Sequence, residues 1–104
     1  LAAQADVARL QELLREYSAV RTELNAVRAR IAELREAKRI LEEKKPRTVF
    51  REVGGLLVEA SLEEALRYVS DELEVLELRQ KKLEEQERRL LEAIKQLEEK
   101  LGLR

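Results

Sequence analysis

Two long stretches of the chain carry apolar residues at alternating spacings of three and four. The first runs through Leu10, Leu13, Tyr17, Val20, Leu24, Val27, Ile31, Leu34 and Leu41, and only Lys38 interrupts it. A 3.5-residue period sustained over several heptads is a coiled-coil pattern. It predicts one helix over 1–45, with Ser18, Thr22 and Asn25 off the seam and facing water. Pro46 has no N–H to continue the ladder and disfavours helical geometry at Lys45. Lys44 and Lys45 suit the negative end of the helix dipole. The second stretch runs through Leu62, Leu66, Val69, Leu73, Leu76, Gln80, Leu83, Glu87, Leu90, Ile94, Leu97 and Leu101. Ser61-Leu62-Glu63-Glu64 before it reads as a capping box, in which the hydroxyl caps a free amide and Glu64 reaches back to the Ser61 amide. Gly102 is the expected stop.

Between the helices, Arg47 to Ser61 has no helical pattern. Thr48–Val53 and Leu56–Ala60 are rich in β-branched and apolar residues and read as two strands. Gly54-Gly55 between them fits a type I′ turn, which needs positive φ at both central positions. If Val53 pairs with Leu56, then Val49, Arg51, Val53, Leu56, Val58 and Ala60 share one face, and Phe50, Glu52, Leu57 and Glu59 the other. Neither face is cleanly polar, and two strands alone leave open edges. The hairpin either folds back on its own helices or joins hairpins of other chains. We favour the second, because the flanking helices leave no nearby core for it. The chain thus reads as one mainly α domain: a helix over 1–45, a hairpin linker over 46–60, and a helix over 61–104.

The hairpin sends the second helix back along the first, giving a long antiparallel two-helix coiled coil. Pairing Leu41 with Leu62 places Leu34 by Val69, Ile31 by Leu73, Leu24 by Gln80, Tyr17 by Glu87 and Leu10 by Ile94. That register predicts a hydrogen bond from Tyr17 to Glu87, with Glu87 turned to solvent as the other possibility. Val7, Leu14, Leu91 and Leu103 lie beside the seam at the open ends, and Val75 and Leu78 nearer the hairpin. A cluster at two free helix ends suggests a contact surface.

Composition narrows the function. Charged residues make up 41% and aromatics 3%, the balance of long helices and not of a globular core. The net charge of −1 supplies no global field for nucleic acid or anionic membrane. Without Cys or His the chain lacks thiolate chemistry and the usual general base and metal ligand. No apolar run approaches the ~20 residues of a membrane span. The absence of Met points to a chain without its native start. Arginine outnumbers lysine fourteen to seven, which with abundant Glu fits a thermophile. Carboxylates lie among basic residues on solvated helix faces, and Gly54-Gly55 lacks the lysine of a phosphate loop. We therefore expect no enzyme, no catalytic residues, no cofactor and no metal. Shape and assembly must carry the function.

Val53-Gly-Gly-Leu-Leu-Val-Glu59, Glu64-Ala-Leu-Arg-Tyr68, Leu73-Glu-Val-Leu-Glu-Leu-Arg79 and Leu83-Glu-Glu-Gln-Glu87 resemble the β-class subunit of archaeal-type prefoldin. One hairpin in the linker, and not two, matches the β class. The resemblance covers the hairpin and second helix closely, and the first helix mainly in pattern. It implies a cytoplasmic hetero-hexamer of two α-class and four β-class subunits, joined through their hairpins into an intersubunit β-barrel. It implies ATP-independent capture of unfolded proteins at coiled-coil tips and delivery to a group II chaperonin, with no nucleic-acid or membrane partner. Carried onto this chain, assembly falls to Val49, Phe50, Val53, Gly54, Gly55, Leu56, Leu57, Val58 and Ala60. Client contact falls to Val7, Leu10, Leu14, Leu90, Leu91, Ile94, Leu97, Leu101 and Leu103, several of which also belong to the seam. The rival is a structural coiled-coil subunit of a prefoldin-like assembly that holds no clients. A more distant one is a helical spacer whose hairpin is dispensable.

Overall fold

Helix α1 spans Ala2–Lys44, strand β1 Thr48–Val53, strand β2 Leu56–Ser61 and helix α2 Leu62–Lys100 in a computed structural model that describes residues 2–104. The first residue of the expected helix, Leu1, lies outside the described residues. Contacts divide the chain into two units, one of residues up to Val27 with Arg79–Arg104, the other Arg28–Leu78.

In the first unit the predicted seams face each other. Leu10, Leu13, Val20, Leu24 and Val27 of α1 are buried, as are Leu83, Leu90 and Ile94 of α2, with Leu24 and Leu83 wholly so. Each such side chain contributes ~1.5–3 kcal/mol by leaving water. Tyr17, Gln80, Glu87, Leu97 and Leu101 are half-buried. Asp6 pairs with Lys100 at 2.9 Å, Arg21 with Glu87 at 2.7 Å, and Glu23 with Arg79. Numbers rise on α1 as they fall on α2, so the segments are antiparallel.

In the second unit Ile31, Leu34 and Leu41 are buried, with Ala65, Val69 and Leu73. Arg35 meets Glu77 across the helices at 3.3 Å. Ala65 is a core residue that the 3-4 spacing passed over in favour of Leu62 and Leu66, which are only half-buried. A methyl group carries little pattern weight, yet it is what fits where the chain enters α2. The hairpin has the predicted register, Val53↔Leu56 through Thr48↔Ser61. Gly54 and Gly55 have φ of 56° and 82°, as a type I′ turn requires. A Cβ at Gly55 would meet nothing within 4 Å, so a substitution strains only its own backbone. Gly55→Val should destabilise the hairpin by ~1–2 kcal/mol. Amide hydrogen exchange across the two strands would then quicken about tenfold, and unchanged exchange would show that the turn tolerates a side chain.

The three helix ends with visible caps differ in kind. Lys45 adopts φ 45° and its N–H donates to the Leu41 carbonyl at 3.0 Å, a left-handed cap that stops α1 just before Pro46. A side chain there costs ~1–2 kcal/mol, of which glycine's extra unfolded-state freedom would return part. Lys45→Gly should therefore stabilise by ~0.5–1 kcal/mol, read as a higher urea midpoint at unchanged slope. At the start of α2 the Glu64 N–H donates to Ser61 Oγ at 3.1 Å, as predicted. The return contact differs: the Glu64 carboxylate accepts from the Ser61 hydroxyl at 3.1 Å, where a full box would use the amide. Ser61 is itself the last residue of β2, so strand and cap share it. Beyond Lys100, Gly102 has φ 75°, its N–H donates to the Glu99 carbonyl, and the Leu103 N–H donates to the Glu98 carbonyl, forming a Schellman cap.

Candidate functional site

The hairpin is the first surface that the helices do not account for. Its base is tied down: Val49 and Ala60 are half-buried, and the Arg51 guanidinium sits 4.4 Å from the Tyr68 ring centroid. Stacking of this kind contributes ~0.5–1 kcal/mol at an exposed site. No linear pattern signals it, because Arg51 and Tyr68 belong to different elements. Away from the base, Phe50, Val53, Leu56, Leu57 and Val58 are all exposed, Leu57 by 74%. The hairpin is therefore folded back on its own helices at its root, as the first expectation had it, and exposed at its turn. Among the described residues its two outer strand edges carry no partner strand, since the sheet has two strands. A groove of 360 Å³ opens at the root, lined in part by Leu34, Ile40, Leu41, Val49, Phe50 and Tyr68. Apolar side chains on both faces thus lie beside strand edges that are open to pairing.

The helix ends in the first unit form the second surface. The nine residues predicted there fall into three groups. Leu10, Leu90 and Ile94 are buried in the seam, Leu97 and Leu101 are half-buried, and Val7, Leu14, Leu91 and Leu103 are exposed. Charge surrounds the exposed four. Arg9 meets Glu12 at 3.0 Å, Lys100 meets Asp6, and Arg104 Nε donates to Glu98 at 2.7 Å. Such exposed pairs contribute little to stability but keep an apolar patch solvated at its rim. Val75 and Leu78 are exposed as expected, in the second unit.

The polar break in the α2 seam has a different partner from the one its register suggested. Glu87 Oε2 accepts from Arg21 Nη1, not from the Tyr17 hydroxyl. Arg21 lies one turn beyond Tyr17, and its guanidinium offers a charge-assisted bond that a neutral phenol cannot match. That hydrogen bond, then the carboxylate's charge, raises the Arg21 pKa above its ordinary value. On the exposed face of α1, hydrogen bonds from Arg39 hold the Glu36 carboxyl below its usual range. The small stabilisation this brings is present above the ordinary carboxylate pKa and is lost as pH falls through the lowered value. None of these groups faces an enclosed cavity, and no helix among the described residues is long and apolar enough to cross a membrane.

Residues 4–102 match the family model described as "Prefoldin subunit". The prefoldin subunit beta of Pyrobaculum calidifontis is 37% identical over 101 residues, covering 89% of this chain and 81% of that protein. That of Pyrococcus furiosus is 38% identical over 74 residues, covering 67% of this chain and 63% of that one. The crystal structure of the prefoldin beta subunit from Thermococcus strain KS-1 superposes with a TM-score of 0.84 at 26% identity, over 96% of this chain and 89% of that chain. Two long helices, a single hairpin between them and this breadth of similarity lead to one conclusion: the chain belongs to the prefoldin subunit family, in its β class.

Proposed function

We propose that this subunit works in the cytoplasm by holding unfolded proteins at its helix ends without nucleotide and passing them to a group II chaperonin. In this reading it assembles through Val49 to Ala60 with an α-class subunit and further β-class copies into a hexamer whose hairpins close a barrel. The supporting observation is the exposed apolar group Val7, Leu14, Leu91 and Leu103, rimmed by ion pairs on the two joined helix ends. Several tips acting together supply avidity, so each contact stays weak and releasable. Exposed leucines, not polar pockets, suit clients that share nothing but unburied apolar side chains. The chemistry needs no catalytic group, and this part of the reading has the chain act as a chaperone subunit and not as an enzyme.

The test is aggregation of a chemically unfolded client after dilution, with and without the complex of this chain and an α-class subunit, in the absence of ATP. Suppression near one complex per client is the expected result. Unchanged aggregation in the presence of a correctly sized complex would leave the structural-subunit reading in its place.

A further inference from the structure

The second unit has two unlike flanks. Tyr68 and Glu77 lie nine residues apart on α2, about two and a half turns, so they face opposite ways. On the Glu77 side the hollow between the helices is lined by charges of both signs, and the Arg35–Glu77 and Arg39–Glu43 pairs lie across and along it. Those charges answer one another. On the Tyr68 side lies the groove at the hairpin root. The buried Leu41 and Val69 line it, and Ile40, Phe50 and Tyr68 stand exposed at its rim. Its charged lining residues are Arg30 and Arg51, and no carboxylate lines it. Arg51 stacks the face of its guanidinium on Tyr68, which leaves the N–H donors at the edge of that plane for an acceptor. Arg30 Nη1 donates to Glu33 at 3.1 Å, one bond from a group with several donors.

We propose that this groove seats a second copy of the chain, whose Leu57 enters it with Glu52 and Glu59 set against the two arginines. Among the described residues Leu57 is the most exposed large apolar side chain. Glu52 stands directly across the hairpin from it, and Glu59 lies two residues along the same strand, so both carboxylates share its face. An apolar knob between two acids thus matches an apolar groove between two cations. Bonds from a guanidinium to a carboxylate are charge-assisted, and they offset the desolvation that closing the contact imposes on both groups. The chain's own Leu57 cannot take the seat. The hairpin folds back through Val49, Arg51 and Ala60, and Leu57 alternates onto the opposite face. Each copy carries both halves of the contact, on different surfaces. The contact is therefore head to tail, and one copy can use its groove for one neighbour and its Leu57 for another. The face of Val53 and Val58 remains available for other contacts in the assembly. The inference rests on the assembly role proposed for the hairpin, and it names the occupant of one surface beside it.

The chain has no cysteine, so a thiol can be placed on each half of the contact without a background. Full-length chains carrying Ile40→Cys are mixed with chains of distinguishable mass carrying Leu57→Cys, assembled with a cysteine-free α-class subunit, and mildly oxidised. A disulfide needs Cα atoms within about 7 Å, so the mixed product should exceed the product of either variant with itself by about tenfold or more. Adding Arg51→Glu to the Ile40→Cys chain should cut the mixed product about tenfold, with the helices intact by circular dichroism. Adding Glu52→Lys and Glu59→Lys to the Leu57→Cys chain should then restore it. Light scattering reads the mass of every mixture. A complex of full mass without the mixed product overturns the inference and leaves the assembly reading in place, because another subunit then fills the groove. A complex in which Leu57→Cys chains link chiefly to each other does the same. A mixed product indifferent to Arg51→Glu overturns the charge pairing that singles out Leu57. Chains that gain neither mass nor the mixed product overturn both this inference and the assembly reading.

Discussion

Replacing Val53 and Val58 with aspartate should abolish assembly while the helices remain. Both valines lie on the hairpin face that also carries Val49, Leu56 and Ala60, and both are exposed in the single chain. Nothing in the chain's own helices opposes a carboxylate at these sites, so the single chain should tolerate the change. The seams of α1 and α2 do not include the hairpin and should keep their helicity. Assembly differs because any partner strand or sheet that covers this face must desolvate the new charges. At ~3 kcal/mol for each carboxylate buried without a full partner, two would weaken association by about four orders of magnitude. The two positions should not be equal. Val58 stands directly across from Arg51, which can answer a carboxylate introduced there. Val53 stands across from Leu56 and has no base opposite. Val53→Asp alone should therefore cost more than Val58→Asp alone. Light scattering of the mixture with an α-class subunit reads the mass, and far-ultraviolet circular dichroism reads the helices. Full-sized complexes from the double variant would show that this face stays wet in the assembly.

The same residues show what a linear pattern can and cannot reveal. Val53, Gly54, Gly55 and Leu56 announce their turn because only glycine enters positive φ freely, and the strand register follows from that turn. The seams are legible because burial repeats every 3.5 residues, and nearly every apolar seam residue from Leu10 to Ile94 is buried or half-buried. What failed to show is whatever depends on reach or on a choice between neighbours. Arg21 takes Glu87 from Tyr17 because a guanidinium extends across the seam from a position the pattern counts as outside it. Arg51 finds Tyr68 across two elements. Lys45 caps its helix in a conformation that favours glycine, because Pro46 forces the chain out of the helix whatever precedes it. The candidate tip was least legible of all. Leu13 beside Leu14, and Leu90 beside Leu91, give two adjacent apolar residues where only one can face inward. The 3-4 spacing puts Leu13 and Leu90 in the seam and Leu14 and Leu91 beside it, as burial has it, but the expected client contacts mix the two sets, and Leu10, Leu90 and Ile94 among them are core.

That sorting makes a cleaner test of client capture than cutting the helix ends away. Removing residues 1–13 and everything after Leu90 would take Leu10, Leu13 and Ile94 with it, all of them buried, and so would damage the core along with the surface. Val7, Leu14, Leu91 and Leu103 are exposed, and changing all four to serine leaves the seam intact. Exposed substitutions of this kind typically move stability by no more than ~0.5 kcal/mol each, and serine in place of valine or leucine in a helix adds a few tenths. The effect on clients should be far larger. Each side chain withdrawn from an apolar contact forfeits up to ~1.5–3 kcal/mol where that contact is fully dry, and less where it is partial. Even ~1 kcal/mol for each of the four is roughly a thousandfold in affinity per tip, and several tips multiply the loss. The expected outcome is a complex of parental mass and nearly parental melting temperature that no longer suppresses aggregation at equal subunit concentration. A control with Val75→Ser and Leu78→Ser, also exposed but in the other unit, should keep its activity. If the fourfold variant protects clients as well as the parent, the helix ends are not the holding surface. The exposed hairpin residues Phe50, Leu56 and Leu57 are then the next apolar group to substitute.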